Sequence, residues 1–321
     1  MASRIHQELL DQGLLTKAQH DQAEEIASGR IVSVYYDLRT LLYAGVLLFT
    51  SGVGILIYKN IGEIGHLVAI GALIVLTIVC FTYAFRKGPA YQHELVEGPT
   101  PYFDYVVLLG SLLFISVLGY LQFRFELLTE NMGLSTLISA LVFFYAAYRF
   151  DHIGVLSLGI TALASFFSIT ISPKKWYSGD FFEGPHVYLT AVAFAIGLTV
   201  IALLLDKRRI KSHFTFTYLN FGLLIFFIGA VSGLFDNEDM DVLYVPLLYG
   251  GVVFAYFSAR NRKSFLFLLY AFIAAYIATT YFLSKVLVNE MAVLWFYYSI
   301  FSCGGFVYFI VKYRNYFSRK P

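Results

Sequence analysis

The sequence predicts an all-α protein: a polytopic transmembrane helical bundle of about ten spans, preceded by a short N-terminal cytosolic helical hairpin. Three observations carry that expectation. Hydrophobic residues make up 59% of the 321 and charged residues only 14%, with a mean hydropathy of +0.70, whereas soluble domains are close to half apolar and a quarter charged. Ten apolar stretches occupy most of the chain, each near the roughly 20 residues a helix needs to cross a hydrocarbon core. The connections between them sort lysine and arginine by side. A water-soluble fold of this length could not cover so much apolar surface, and a bilayer removes the need. The net charge of +2 offers no basic field for nucleic acid.

The spans fall at about 40–58, 66–85, 102–122, 133–150, 152–171, 187–206, 214–235, 242–259, 264–283 and 291–312. The first is glycine-rich, with Gly45, Gly52 and Gly54, and the second ends at Arg86-Lys87. The third opens on Tyr102-Phe103-Asp104-Tyr105. From Gly133 to Ile171 the chain is almost continuously apolar, broken only by Arg149-Phe150-Asp151-His152. One helix of that length would overshoot a bilayer about twofold, so a tight hairpin turning at those polar residues is expected. The sixth span runs into Lys207-Arg208-Arg209. The seventh carries Asn220, suited to bonding across helices, and Gly229-x-x-x-Gly233, which permits close helix contact.

The eighth span holds the only proline within a span, Pro246, followed by Gly250-Gly251. Proline lacks an N–H and crowds the carbonyl four residues earlier, here that of Val242, so this span is expected to be kinked or broken and to line any cavity. The ninth and tenth lie between the basic run Arg260–Lys263 and the basic tail. The domains expected are 1–39 (hairpin and juxtamembrane segment), 40–312 (ten spans) and 313–321 (basic cytosolic tail).

With ten spans both termini share a side. That side collects 18 of the 23 lysines and arginines, and the other holds only Lys59, Arg124, Lys174, Lys175 and Lys285. Cytosolic loops carry the excess of positive charge, so both termini should be cytosolic. A missed or surplus span would swap every later loop and blur the asymmetry. Residues 1–39 contain no apolar run, so no cleavable signal is expected there. Cys80 and Cys303 both fall inside spans and read as small packing residues rather than a disulfide or metal pair.

Within the N-terminal segment, Ile5, Leu9 and Leu10 form a short apolar stripe that Gly13 can close. Thr16-Lys17-Ala18-Gln19 has capping-box spacing, and a second helix would run to about Ala27. Two short helices cannot bury a core alone, so this hairpin should rest on cytosolic loops, the membrane surface or a protein partner. Its run Leu9-Leu10-Asp11-Gln12-Gly13-Leu14-Leu15-Thr16, with Gln19 and Ala23-Glu24-Glu25-Ile26, resembles the start of a bacterial family of multi-span membrane proteins catalogued as domain of unknown function 2157. The resemblance covers roughly residues 5–85, including the glycine-rich first span. It implies the bacterial inner membrane and supplies no activity, cofactor or site residue.

Motifs for catalysis are absent: there is no His-Glu-x-x-His, no nucleophile elbow and no phosphate-binding glycine loop. The seven histidines, His6, His20, His66, His93, His152, His186 and His213, never pair at i, i+3 or i+4 on a span, so no cofactor or metal is expected. The polar features that remain are few. Asp104 lies at the start of the third span, where a carboxylate either acts or simply reaches the interface. Arg149, Asp151 and His152 occupy the hairpin turn, read as a solvated turn with one Arg149–Asp151 ion pair, with a cytosolic proton or anion site as the sharper alternative. Asp236-Asn237-Glu238-Asp239-Met240-Asp241 is an outer acidic turn without the pattern of a calcium loop. The outer loop 172–186, with Trp176, Tyr177, Phe181 and Phe182, suits the headgroup level and is a candidate lid or partner surface. Tyr249 and Tyr276 fall deep in spans and need hydrogen-bond partners.

Three functions fit these features. A transporter or conduit for a small or lipidic molecule suits the span count and a breakable eighth span. A non-catalytic scaffold or accessory subunit of a cell-envelope complex suits the hairpin and the scarcity of intramembrane charge. A membrane-embedded enzyme has least behind it.

Overall fold

The computed structural model describes residues 35–60, 63–96, 98–125, 132–171, 185–236, 241–287 and 292–313. Within them every regular element is an α-helix: α1 (Tyr35–Asn60), α2 (Glu63–Lys87), α3 (Phe103–Phe125), α4 (Met132–Phe150), α5 (Ile153–Ile171), α6 (Pro185–Arg208), α7 (Phe214–Asp236), α8 (Asp241–Arg262), α9 (Phe265–Leu287) and α10 (Ala292–Tyr313). Each covers one expected span, with ends moved by a few residues. Among the described residues eight of them, α2 to α9, are long and apolar enough to cross a membrane, and α1 and α10 contribute the apolar stretches Thr40–Val53 and Ile300–Tyr313. The N-terminal hairpin, most of the outer loop with Trp176, Tyr177, Phe181 and Phe182, the centre of the acidic turn and the basic tail lie outside the described residues.

The chain divides into two compact units, 1–71 and 72–321, with the boundary inside α2. In the first, α1 turns large apolar side chains outward, Leu41 at 68% exposure and Leu48 at 73%. Its Thr50 hydroxyl donates to the carbonyls of Val46 and Leu47, each at 3.0 Å, so the helix satisfies its own polar group without water.

In the second unit, consecutive helices pack as the hairpins α4–α5, α6–α7 and α8–α9, and α7 touches α5, α6, α8 and α9. That position makes α7 the most enclosed span, with 50% of its apolar window buried against at most 39% in the others. Between helices in lipid there is no hydrophobic drive, so close packing and interhelical hydrogen bonds hold the bundle. Gly229 of the small-residue motif lets α6 approach: an added Cβ would lie 3.0 Å from Ala191 Cβ. Gly233 serves a different neighbour, for Tyr244 of α8 fills the space beside it. Tyr270 on α9 donates to Asn220 on α7 at 3.1 Å. The deep tyrosines have partners on adjacent helices, Tyr249 with Thr279 at 3.1 Å and Tyr276 with Ser302 at 3.0 Å. Phe272 and Phe309 stack at 3.9 Å between α9 and α10.

The eighth helix corrects the sequence expectation. It is unbroken from Asp241 through Pro246 and Gly250-Gly251 to Arg262. The bond that Pro246 forfeits is the one to Val242, in the first turn, so a single loss near the end leaves the remaining ladder whole. Pro246 and Gly250 face outward, and Gly251 is closed by Phe226 of α7, whose ring occupies the place a Cβ would take.

Three helices end in the same way. Asp151, Arg209 and Lys263 follow α4, α6 and α8 with φ of 59°, 54° and 51°. The next amide in each case returns to the carbonyl five residues back: His152 N to Ala147 O at 3.1 Å, Ile210 N to Leu205 O at 3.1 Å, Ser264 N to Ala259 O at 3.0 Å. These are Schellman caps, which usually place glycine at the left-handed position. A side chain there costs on the order of 1 kcal/mol. Lys263 is exposed, so Lys263→Gly should raise the thermal unfolding midpoint in detergent by the equivalent of about 1 kcal/mol. A midpoint that falls would contradict the cap.

Candidate functional site

In an up-and-down bundle the connections after even-numbered helices share one end. Three of them meet here: α2–α3 (88–102), α4–α5 (151–152) and α6–α7 (209–213). At their junction the Asp151 side chain is 2% exposed. Its Oδ2 accepts from Lys211 Nζ at 2.8 Å and from the Val96 amide at 2.6 Å, and its Oδ1 accepts from His213 Nε2 at 2.5 Å. A buried carboxylate is tolerable only when paired and hydrogen-bonded, and these three donors come from two other connections.

Lys211 is as enclosed as its partner, at 1% exposure. Besides Asp151, its ammonium donates to Glu94 O at 3.2 Å and lies 5.3 Å from the Tyr91 ring centre. Its own amide donates to His93 O at 2.7 Å, from a backbone held at φ 47°. The residue therefore ties the α2–α3 connection to the α6–α7 connection through both main chain and side chain.

The turn differs from the expected solvated one in both respects. It is buried, and Arg149 does not pair with Asp151: it donates to Pro89 O at 2.5 Å and sits 5.5 Å from the Phe150 ring centre. The reason is directional. Asp151 in the left-handed cap points its carboxylate at the neighbouring connections, while Arg149, still within α4, reaches toward the end of α2. His152 is 4% exposed and caps α5, its Nδ1 accepting from Val155 N at 3.1 Å. With Nδ1 used as acceptor, Nε2 carries the proton and donates to Asp104 O at 2.9 Å, tying the start of α3 to this turn. Gly154 leaves room for that ring, since a Cβ would come within 2.9 Å of His152 Cε1. At Asp104 the group engaged by His152 is the backbone carbonyl, and its carboxylate stands in the first turn of α3, where the helix dipole favours a negative charge.

Beside this clamp lies a cleft of about 680 Å³ between the ends of α6, α7 and α8. Its polar end is formed by Ser212, His213, Ser258 and Asn261, with Arg262 donating to Asp206 at 2.8 Å across the α6 and α8 termini. Leu203, Phe216, Phe254 and Phe257 form its apolar walls. His213, 18% exposed, belongs to both clamp and cleft. Of the sequence candidates, Asp151, His152, Arg149 and the Asp104 carbonyl gather around the clamp. Asn220 lies in the α7–α9 contact, and Pro246, Gly250 and Gly251 lie outside the cleft lining. Lys211 and His213 escaped notice as site residues. The signal for them was present, because the expected threading puts the connection that holds both on the same side as the turn with Asp151.

Removing Asp151 would strand the Lys211 charge in a buried place, and breaking a buried pair this way costs about 3–5 kcal/mol. Asp151→Ala and Lys211→Met should each lower the unfolding midpoint strongly. Arg262→Gln, which opens a partly exposed pair, should cost no more than about 1 kcal/mol. Equal losses in all three would show that the clamp is no stronger than a surface pair.

No curated protein and no solved structure matches this chain. A family model does match, and it reaches past the first two spans through the hairpin turn, taking in Asp151 and His152 but not Lys211 or His213. Over its N-terminal region, residues 7–156, the chain is similar to the family described as Predicted membrane protein (DUF2157).

Proposed function

We propose that the protein resides in the bacterial cytoplasmic membrane with both termini and the clamp on the cytosolic side, and acts as a non-catalytic scaffold. The observation that carries the scaffold reading is the eighth helix. Transporters typically build their substrate sites on broken helices, whereas α8 runs through Pro246 unbroken and packs on α7 where Phe226 fills the space at Gly251. The clamp adds a second fixed point, joining three connections through one carboxylate. The orientation is supported by the charge count, since a ten-span threading assigns 18 of the 23 lysines and arginines to the side of the even-numbered connections. In this reading the helices of the second unit form a rigid platform. The N-terminal hairpin and the outer loop 172–186 are the surfaces it offers to protein partners of the envelope. A conduit for a small or lipidic molecule draws its support from the cleft alone.

Two measurements test the proposal. With Cys80 and Cys303 replaced, Ser178→Cys should react with an impermeant thiol reagent from outside the cell and Ser212→Cys only from inside; labelling from one side alone defeats the threading. Spin-label pairs at Lys207 and Lys263, and at Phe235 and Leu243, report the two ends of α8 against its neighbours. One narrow distance at each end is expected of a scaffold, and two populations changing in opposite senses would favour the conduit.

A further inference from the structure

We infer that the cleft between the ends of α6, α7 and α8 binds an anionic phospholipid, holding the headgroup at its polar end and the upper part of an acyl chain along its apolar walls. Its volume, 680 Å³, is within the usual range for small-molecule sites, about 300–1,000 Å³. The walls are surfaces that a bilayer already touches. Leu203, Phe216 and Phe257 are 45%, 43% and 55% exposed, and Leu204 and Val253 beside them are 50% and 54% exposed, on helices that are apolar enough to span. A chain lying there stays in hydrocarbon while its head reaches Ser212, Ser258 and Asn261.

Charge selects the head. Lys207, Arg208 and Arg209 at the end of α6, with Arg260 and Lys263 at the end of α8, are exposed on the two helix ends that carry the cleft, close in sequence to its lining residues Asp206, Asn261 and Arg262. The one acid of these two helix ends, Asp206, is occupied by Arg262. Five exposed cations on the helix ends beside the cleft set up a positive field that favours a phosphate diester and disfavours a zwitterionic head, whose own ammonium they repel. The polar end is also preformed: Asp151 holds His213 by Nε2, so the ring keeps one orientation toward the cleft before any ligand enters. The apolar walls favour a lipid over free phosphate, which would leave them uncovered. This inference needs the chain to lie in a bilayer and is independent of the scaffold reading.

The full chain in phosphatidylcholine nanodiscs, doped with photoactivatable phosphatidylglycerol or photoactivatable phosphatidylcholine, provides the test. Crosslinked peptides spanning 203–216 and 254–262 are quantified by mass spectrometry. The glycerol lipid should label them roughly fivefold more than the choline lipid. Ser258→Trp, which fills the cleft, should reduce labelling by both. Asn261→Asp, at an exposed position that leaves packing intact, should reduce labelling by the anionic lipid alone. It decides the matter if the tryptophan variant fails to fold. Equal labelling by the two lipids, or anionic labelling unchanged in Asn261→Asp, overturns the inference. So does displacement of the lipid by inorganic phosphate, which would mark a small-anion site instead.

Discussion

The burial of one carboxylate organises this end of the molecule. Asp151 has almost no contact with solvent, and an ionised group so placed must be compensated by donors brought from elsewhere in the chain. Lys211, His213 and the Val96 amide supply them, and each can do so only if its own connection stands close to the α4–α5 turn. Satisfying Asp151 therefore positions the α2–α3 and α6–α7 connections. The backbone accepts a cost for this: Asp151 and Lys211 both adopt left-handed conformations, which side chains disfavour. His152 extends the same logic to α3 through the Asp104 carbonyl.

Through the spans the constraint is different. Lipid offers helices no hydrophobic reason to associate, so contact depends on how closely backbones approach and on hydroxyl and amide groups that find partners only on another helix. Small residues answer the first need around α7, with Gly229 against Ala191 and Gly251 beneath Phe226. Tyrosines answer the second, as in Tyr270–Asn220 and Tyr249–Thr279. Hydroxyls without such a partner return to their own helix, Thr77 to Leu73 O and Ser111 to Val107 O. The abundance of tyrosine thus serves interhelical bonding as well as the interfacial belt.

Clamp and cleft meet at His213, and this sharing gives the two features a physical relation. A side chain anchored by a buried carboxylate loses rotamer freedom, and a site lined by such a side chain binds at a smaller entropic cost. The clamp's chemistry, three donors spent on one acceptor, is that of an anchor. The exposed cations at the ends of α6 and α8 that the lipid inference invokes are among those on which the proposed orientation rests, so both proposals draw on one charge distribution.

The sequence by itself determined the class, the ten spans that are helices among the described residues, and the hairpin at Arg149–His152. These depend on hydrophobic length and loop composition, properties of consecutive residues. It also flagged Asp104, Arg149, Asp151 and His152, because polar residues stand out at the margins of apolar runs. It misjudged their partners. An i, i+2 ion pair between Arg149 and Asp151 looked natural along the chain, yet the left-handed cap turns Asp151 toward residues about 60 positions away. Pro246 and the paired glycines suggested a break that the helix did not need, since the lost bond falls in its first turn and one glycine is filled by a neighbouring ring. The tertiary structure alone decided which groups met, because a buried charge is compensated by whatever donors the packing delivers, and their separation along the chain has no bearing on that energy.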